Sequence, residues 1–175
     1  MSKFKEWIGF CAAVLSIGAI VLSAYNHFRV DELQEFYSAV KPLKLELSLS
    51  QPLDSTEVSN CVTGITGHVR IQPTGTSPVG TDINMTLAER KIEIVPFVRP
   101  FANFLWYPQT RPTITPEGVL TGSVILGDRE GRGIGEDFQV VVLAVRAGEI
   151  RPGYPLPDLP QHGCASNTVT VRRTQ

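Results

Sequence analysis

Leu43-Lys44-Leu45-Glu46-Leu47-Ser48-Leu49 (LKLELSL) places a leucine at every second position and a charged or polar residue between each pair. Successive side chains of a strand point to opposite faces, so this period of two describes a β-strand with one buried and one wet face. Downstream the chain is rich in Val, Ile, Thr, Gly and Pro and contains no amphipathic helical run of useful length. Further strands are expected at Val62 to Ile71, Ile83 to Ala88, Ile92 to Arg99, Val119 to Leu126, Phe138 to Ala147 and Thr168 to Arg172. About seven short strands fit a β-sandwich, and the almost uniformly apolar run Phe138 to Ala147 suits a central strand. Turns are expected at Gln72 to Gly80 and Gly127 to Gly135. The segment Arg151 to Gly163 carries four prolines and is excluded as a central strand.

Upstream of the leucine repeat the character changes. Trp7 to Tyr25 (WIGFCAAVLSIGAIVLSAY) is nineteen residues without a charge. As a helix it spans roughly 28 Å, close to the ~30 Å apolar core of a bilayer. Trp7 and Tyr25 fall at its ends, where aromatic rings settle among headgroups, and Lys3 and Lys5 place the amino end in the cytoplasm. The alternative is a cleaved signal peptide, with Val21 and Ser23 before the cut; an A-x-A site is missing. Cys11 follows bulky Phe10, unlike a lipoprotein cysteine. The sequence thus divides into a short cytoplasmic segment 1–6, a transmembrane helix 7–25, a membrane-proximal helical linker 26–41 and a β-sandwich domain 42–175. The expected location is a bacterial inner or plasma membrane, crossed once, with the domain outside the cytoplasm.

Within the apolar run, Gly9, Ala12, Ser16, Ala19 and Ser23 recur at spacings of three and four, so small residues form a stripe along which another helix can approach. Asn26, Val30, Leu33, Tyr37 and Val40 continue the spacing until Pro42. The expected partners are therefore the lipid bilayer and either another membrane or envelope protein or a second copy of the chain.

Cys61 and Cys164 each stand just before an expected strand. In an Ig-like sandwich the entries to an early and the last strand can be neighbours, so a disulfide is expected, with two reduced thiols as the alternative. Such a bridge would close a loop worth on the order of 4 kcal/mol and would need an oxidising compartment.

From Val95 to Val145 the chain resembles a module of bacterial membrane-anchored and multidomain proteins. Its pieces are Val98-Arg99-Pro100, Tyr107-Pro108-Gln109, Pro112 with Gly118, Leu126-Gly127, and Gly135, Phe138, Val140, Leu143 and Ala144. Val62 to Gly67 is similar to the module's early strand and Thr168 to Arg173 to its closing strand. The resemblance implies an Ig-like β-sandwich beside a membrane helix, without enzymatic activity, and carries over no catalytic or ligand-binding residue. The chain departs from the pattern at Val119 and Leu120, where the module has a tryptophan, and at Thr74 to Thr86, an insertion.

Phe101 to Gln109 (FANFLWYPQ) admits two readings. Phe104, Trp106 and Tyr107 could form an aromatic contact loop, or the aromatics could plug the end of the sandwich while Pro108 and Gln109 close the corner.

Residues suited to chemistry are scattered. His27, His68 and His162 share no metal-ligand spacing, and no cofactor is expected. Gly131, Gly133 and Gly135 lead into a strand where a dinucleotide site needs a helix. Asp128, Glu130, Glu136 and Asp137 could gather calcium, but Arg129 and Arg132 lie among them, and a solvated turn fits better. Asn84-Met85-Thr86 matches a glycosylation acceptor. A net charge of −1 gives no general attraction to phosphate, so nucleic acid is not an expected partner. The function expected from the sequence is a non-enzymatic interaction or structural module in a membrane or envelope complex. The alternative is an extracytoplasmic ligand-binding or sensor domain that signals through a partner.

Overall fold

The structure, a computed structural model, describes residues 44–72, 82–151 and 153–175, all within one compact unit, Ala39–Gln175. The expected membrane helix 7–25, its stripe Gly9, Ala12, Ser16, Ala19 and Ser23, and the linker 26–41 lie outside the described residues. Among the described residues no helix is long and apolar enough to cross a membrane.

The described domain is all-β apart from one short helix. Its elements are β1 (Leu45–Gln51), β2 (Thr56–Val58), β3 (Val62–Ile71), α1 (Ile83–Glu89), β4 (Ile92–Pro100), β5 (Tyr107–Pro108), β6 (Thr113–Ile114), β7 (Val119–Ile125), β8 (Asp137–Arg146), β9 (Cys164–Ala165) and β10 (Val169–Arg173). One sheet has the order β1-β3-β7-β6, the other β2-β10-β8-β4-β5 with β9 also on β8. Neighbours are antiparallel except β2 and β10, which run parallel.

The leucine alternation holds: Leu45, Leu47 and Leu49 are buried and Glu46 and Ser48 exposed. Register sets Leu47 opposite Val69, and Ile65 lies on the same face two pairs along, so these side chains share one layer. On the second sheet Val98 faces Val140, which faces Val169, and Phe138 faces Val171, forming the opposing layer. The other face of that sheet is covered too. Val95, Phe97, Val141, Leu143 and Val145 form a cluster with Trp106 and Ile150, and Leu156 and Leu159 of the proline-rich segment pack on it. Strands β4 and β8 are thus buried on both faces, which accounts for their near-continuous apolar composition.

Pro96 sits inside β4, a position that strand chemistry disfavours. Its carbonyl accepts from Gln109 N–H at 2.8 Å, so this residue's backbone faces the short strand β5 and its missing donor takes no bond from β8. The neighbouring Val142 instead bonds Ser166: its N–H donates to Ser166 Oγ at 3.0 Å, and its carbonyl accepts Ser166 N–H at 2.8 Å.

Two expectations are corrected. Ile83 to Ala88 is helical, not a strand. Ile83, Met85 and Leu87 alternate, but Ile83 and Leu87 are also one helical turn apart, and Asp82 decides the matter by capping the helix, its carboxylate accepting Asn84 N–H at 2.8 Å. Cys61 and Cys164 are free thiols, not a disulfide. Cys61 lies at the start of β3, where its carbonyl accepts Leu126 N–H. Cys164, in β9, lies beside Leu47 of β1, and Leu47 pairs with Val69 near the end of β3. Seven residues of strand separate the two levels, roughly 23 Å, against the ~7 Å limit for a bridge.

Candidate functional site

The Tyr107-Pro108-Gln109 corner ties the two sheets. Gln109 N–H bonds Pro96 in one sheet, while its Oε1 accepts Ile125 N–H at 2.9 Å in the other, and its Nε2 donates to the Tyr107 carbonyl at 3.0 Å. Every polar atom of this buried carboxamide is therefore used.

The aromatic loop divides between its two readings. Trp106 is only 6% exposed and belongs to the core cluster, with its backbone N–H and carbonyl both bonded to Leu156 at 2.8 Å. The Arg99 guanidinium stacks over its ring, 4.7 Å from the centroid, and also bonds Gln139. Trp106 is a plug and not a contact residue. Phe104 is 59% exposed, with its backbone in the left-handed region at φ 58°. Asn103 fixes that turn: its Oδ1 accepts Leu105 N–H at 3.1 Å and its Nδ2 donates to Tyr107 Oη at 2.9 Å. Tyr107 is half-buried.

On the far side of Gln109 the loop from Leu126 to Glu136 wraps the side chain of Arg173. This arginine is buried, and its Nη1 donates to the carbonyls of Leu126 at 2.9 Å and Arg132 at 2.7 Å, so charge-assisted bonds to backbone satisfy it. Gly127, at φ 82°, is required here, because a Cβ would stand 1.9 Å from the Arg132 carbonyl oxygen. Asp128 organises the loop by accepting the N–H groups of Glu130 and Arg132 and pairing with the Arg132 side chain. Desolvation raises its pKa, but the bonds from Arg132 outweigh it and hold the carboxyl below the ordinary aspartate range. The carboxylate is thus engaged by its own loop. Among the described residues no group of three or more His, Cys, Asp or Glu side chains could hold a metal ion.

Between the corner and the loop lies a cleft of about 700 Å³. Val98, Pro100 and Phe138 form its apolar wall, Tyr107 and Pro108 one lip, and Gly127, Arg132 and Glu136 the other. Sequence reasoning identified both lips but not the space between them, because their juxtaposition depends on the pairing of β4 with β5 and β8. Of the remaining candidates, His68 is exposed on the outer face of β3, His162 Nδ1 sits 2.9 Å from the Pro160 carbonyl, and His27 lies outside the described residues. Asn84 is occupied, its Nδ2 donating to the Ile114 carbonyl at 2.8 Å. Burial pushes the Cys164 thiol up in pKa.

A scan against protein-family models and a search of curated proteins return no match to this chain.

Proposed function

We propose that the chain is a single-pass membrane protein whose Ig-like β-sandwich acts as a non-enzymatic interaction or structural module in a bacterial membrane or envelope complex. The observation that carries this reading is the uncharged run Trp7 to Tyr25 placed just ahead of an all-β domain. The Ig-like assignment is supported by strand order: β1-β3-β7-β6 and β10-β8-β4 correspond to the A-B-E-D and G-F-C sheets of a constant-type domain. No cysteine stands on β3 or β8, where antibody domains carry their bridge; Ile65 and Val142 are buried there instead. Orientation with the amino end inside rests on Lys3 and Lys5 alone, because the free thiols remove the argument from compartment.

The cleft favours a second reading, an extracytoplasmic domain that recognises a ligand and signals through a partner. Co-purification of the full chain from mild detergent tests the first. A stable, near-stoichiometric companion is the expected outcome, and a chain that elutes alone as a monomer argues against it.

A further inference from the structure

We propose that the cleft between Tyr107 and the Leu126–Glu136 loop binds a neutral saccharide. The proposal rests on the ligand-recognition reading and names the class of ligand.

Charge in and behind the cleft is balanced. Asp128 and Arg132 form an ion pair within the lining, which leaves Glu136 as its remaining charged side chain. The counterweight to Glu136 is Arg173 on the neighbouring strand. Its N–H donates to the Glu136 carbonyl at 3.0 Å, and its guanidinium stands directly behind the Gly127 wall, where a Cβ would lie 2.8 Å from Nη1. Outside the lining, Arg129 and Glu130 add one charge of each sign, Glu130 lying 3.9 Å from Arg132 Nη2. With acids and arginines equal in number, the cleft exerts no net pull on an ion. Its ligand is uncharged.

The polar groups of the lining divide into those already engaged and those left over. Asn103 and Gln109 serve the loop and the corner. Four side chains keep hydrogen-bonding capacity that no described residue uses: the Glu136 carboxylate accepts, Arg132 Nη1 donates, the Thr110 hydroxyl does both, and Tyr107 Oη, which accepts from Asn103, still has its proton to donate. They sit on opposite lips of the cleft, Tyr107 and Thr110 on one side, Arg132 and Glu136 on the other. A ligand that answers them must carry donors and acceptors on two edges without carrying charge. Hydroxyl groups do this, because each one donates and accepts, and two on neighbouring carbons match the paired oxygens of a carboxylate. Between the lips the wall is apolar, made by Val98, Pro100 and Phe138. A sugar ring has the matching form, polar around its rim and apolar on its C–H faces, so that its rim meets the lips while a face lies on the wall or on the Tyr107 ring. Phe138 is only 1% exposed, so the lining offers a single accessible aromatic ring and no second one to enclose a flat base. An added peptide strand is blocked as well, since Ile125 N–H is bonded to Gln109, Leu126 N–H to Cys61, and the Pro100 carbonyl to Phe104 N–H. The volume of about 700 Å³ lies in the range of small-molecule sites.

The test is titration calorimetry on the full chain, solubilised in a detergent whose headgroup contains no sugar. The probes are maltose, cellobiose and diacetylchitobiose, then glucose against glucosamine, glucuronate and cyclohexanol. At least one neutral disaccharide should bind saturably, with the same affinity at low and high salt. Glu136→Gln, which keeps the shape and removes the charge, should weaken that binding about tenfold, and Tyr107→Phe and Thr110→Val roughly threefold to tenfold each. Met85→Ser, exposed elsewhere, should leave it unchanged, and the thermal midpoints of the four variants should stay near that of the parent. Failure of all three disaccharides to bind, or equal binding by every variant, would overturn the proposal. Tighter binding of glucosamine, glucuronate or cyclohexanol than of glucose would overturn it too, yet would leave the ligand-recognition reading standing with a different ligand. No binding of any probe would count against both.

Discussion

At Leu49 the edge of β1 meets a side chain where a strand would otherwise lie. Asn167 Oδ1 accepts Leu49 N–H at 2.8 Å and its Nδ2 donates to the Leu49 carbonyl at 3.2 Å, so one carboxamide imitates a ladder pair and joins the sheets. Asn167→Ala should cost about 1–3 kcal/mol, read from denaturant midpoints, because two backbone groups lose their partner. Gln109→Leu, which preserves volume but strands Ile125 N–H, should cost a similar ~1–3 kcal/mol, and no change in stability would refute its role as the tie. At the cysteines the expectation is negative. Unfolding should be indifferent to reductant, and Cys164, held protonated by burial, should alkylate more slowly at neutral pH than a cysteine in an unstructured peptide. A midpoint several degrees lower under reduction would restore the bridge that the register forbids.

Elements differ in how plainly the sequence announces them. Strands β1, β3, β4, β7, β8 and β10 carry long alternating or continuous apolar runs and were legible within a residue or two of their ends. Strands β2, β5, β6 and β9 have two or three residues each, too few for any period to register, and exist because a longer neighbour offers them a ladder. The helix α1 was misread because a seven-residue segment satisfies both periods, and its cap lay in a residue preceding the apolar pattern. Asp82→Ala should therefore loosen α1 selectively, costing about 0.5–2 kcal/mol and accelerating amide exchange in Asn84 to Glu89 while the sheets stay protected. The two lips of the cleft were visible as motifs; the cleft was not, since no local pattern encodes which loops a ladder brings together. For the expected anchor helix, Ser16→Leu should weaken helix association in a bilayer while Ile17→Leu leaves it intact. Equal association of both would reduce the small-residue stripe to composition.

Taken whole, the described domain leaves little free sheet edge. Cys164 and Asn167 cover β1, β6 follows Pro112, β5 contains Pro108, and β2 is three residues long. Short or covered edges suppress strand-to-strand association. The proposed role as a membrane-tethered module requires that the domain be anchored and face away from the cytoplasm. The most direct measurement is a pair of fusions after Gln175, one reporter active only in the cytoplasm and the other only outside it, combined with alkaline extraction of the membranes. The account predicts activity of the outer reporter alone and a chain that stays with the membrane after extraction. Activity of the cytoplasmic reporter, or release of the chain into the soluble fraction, would contradict it.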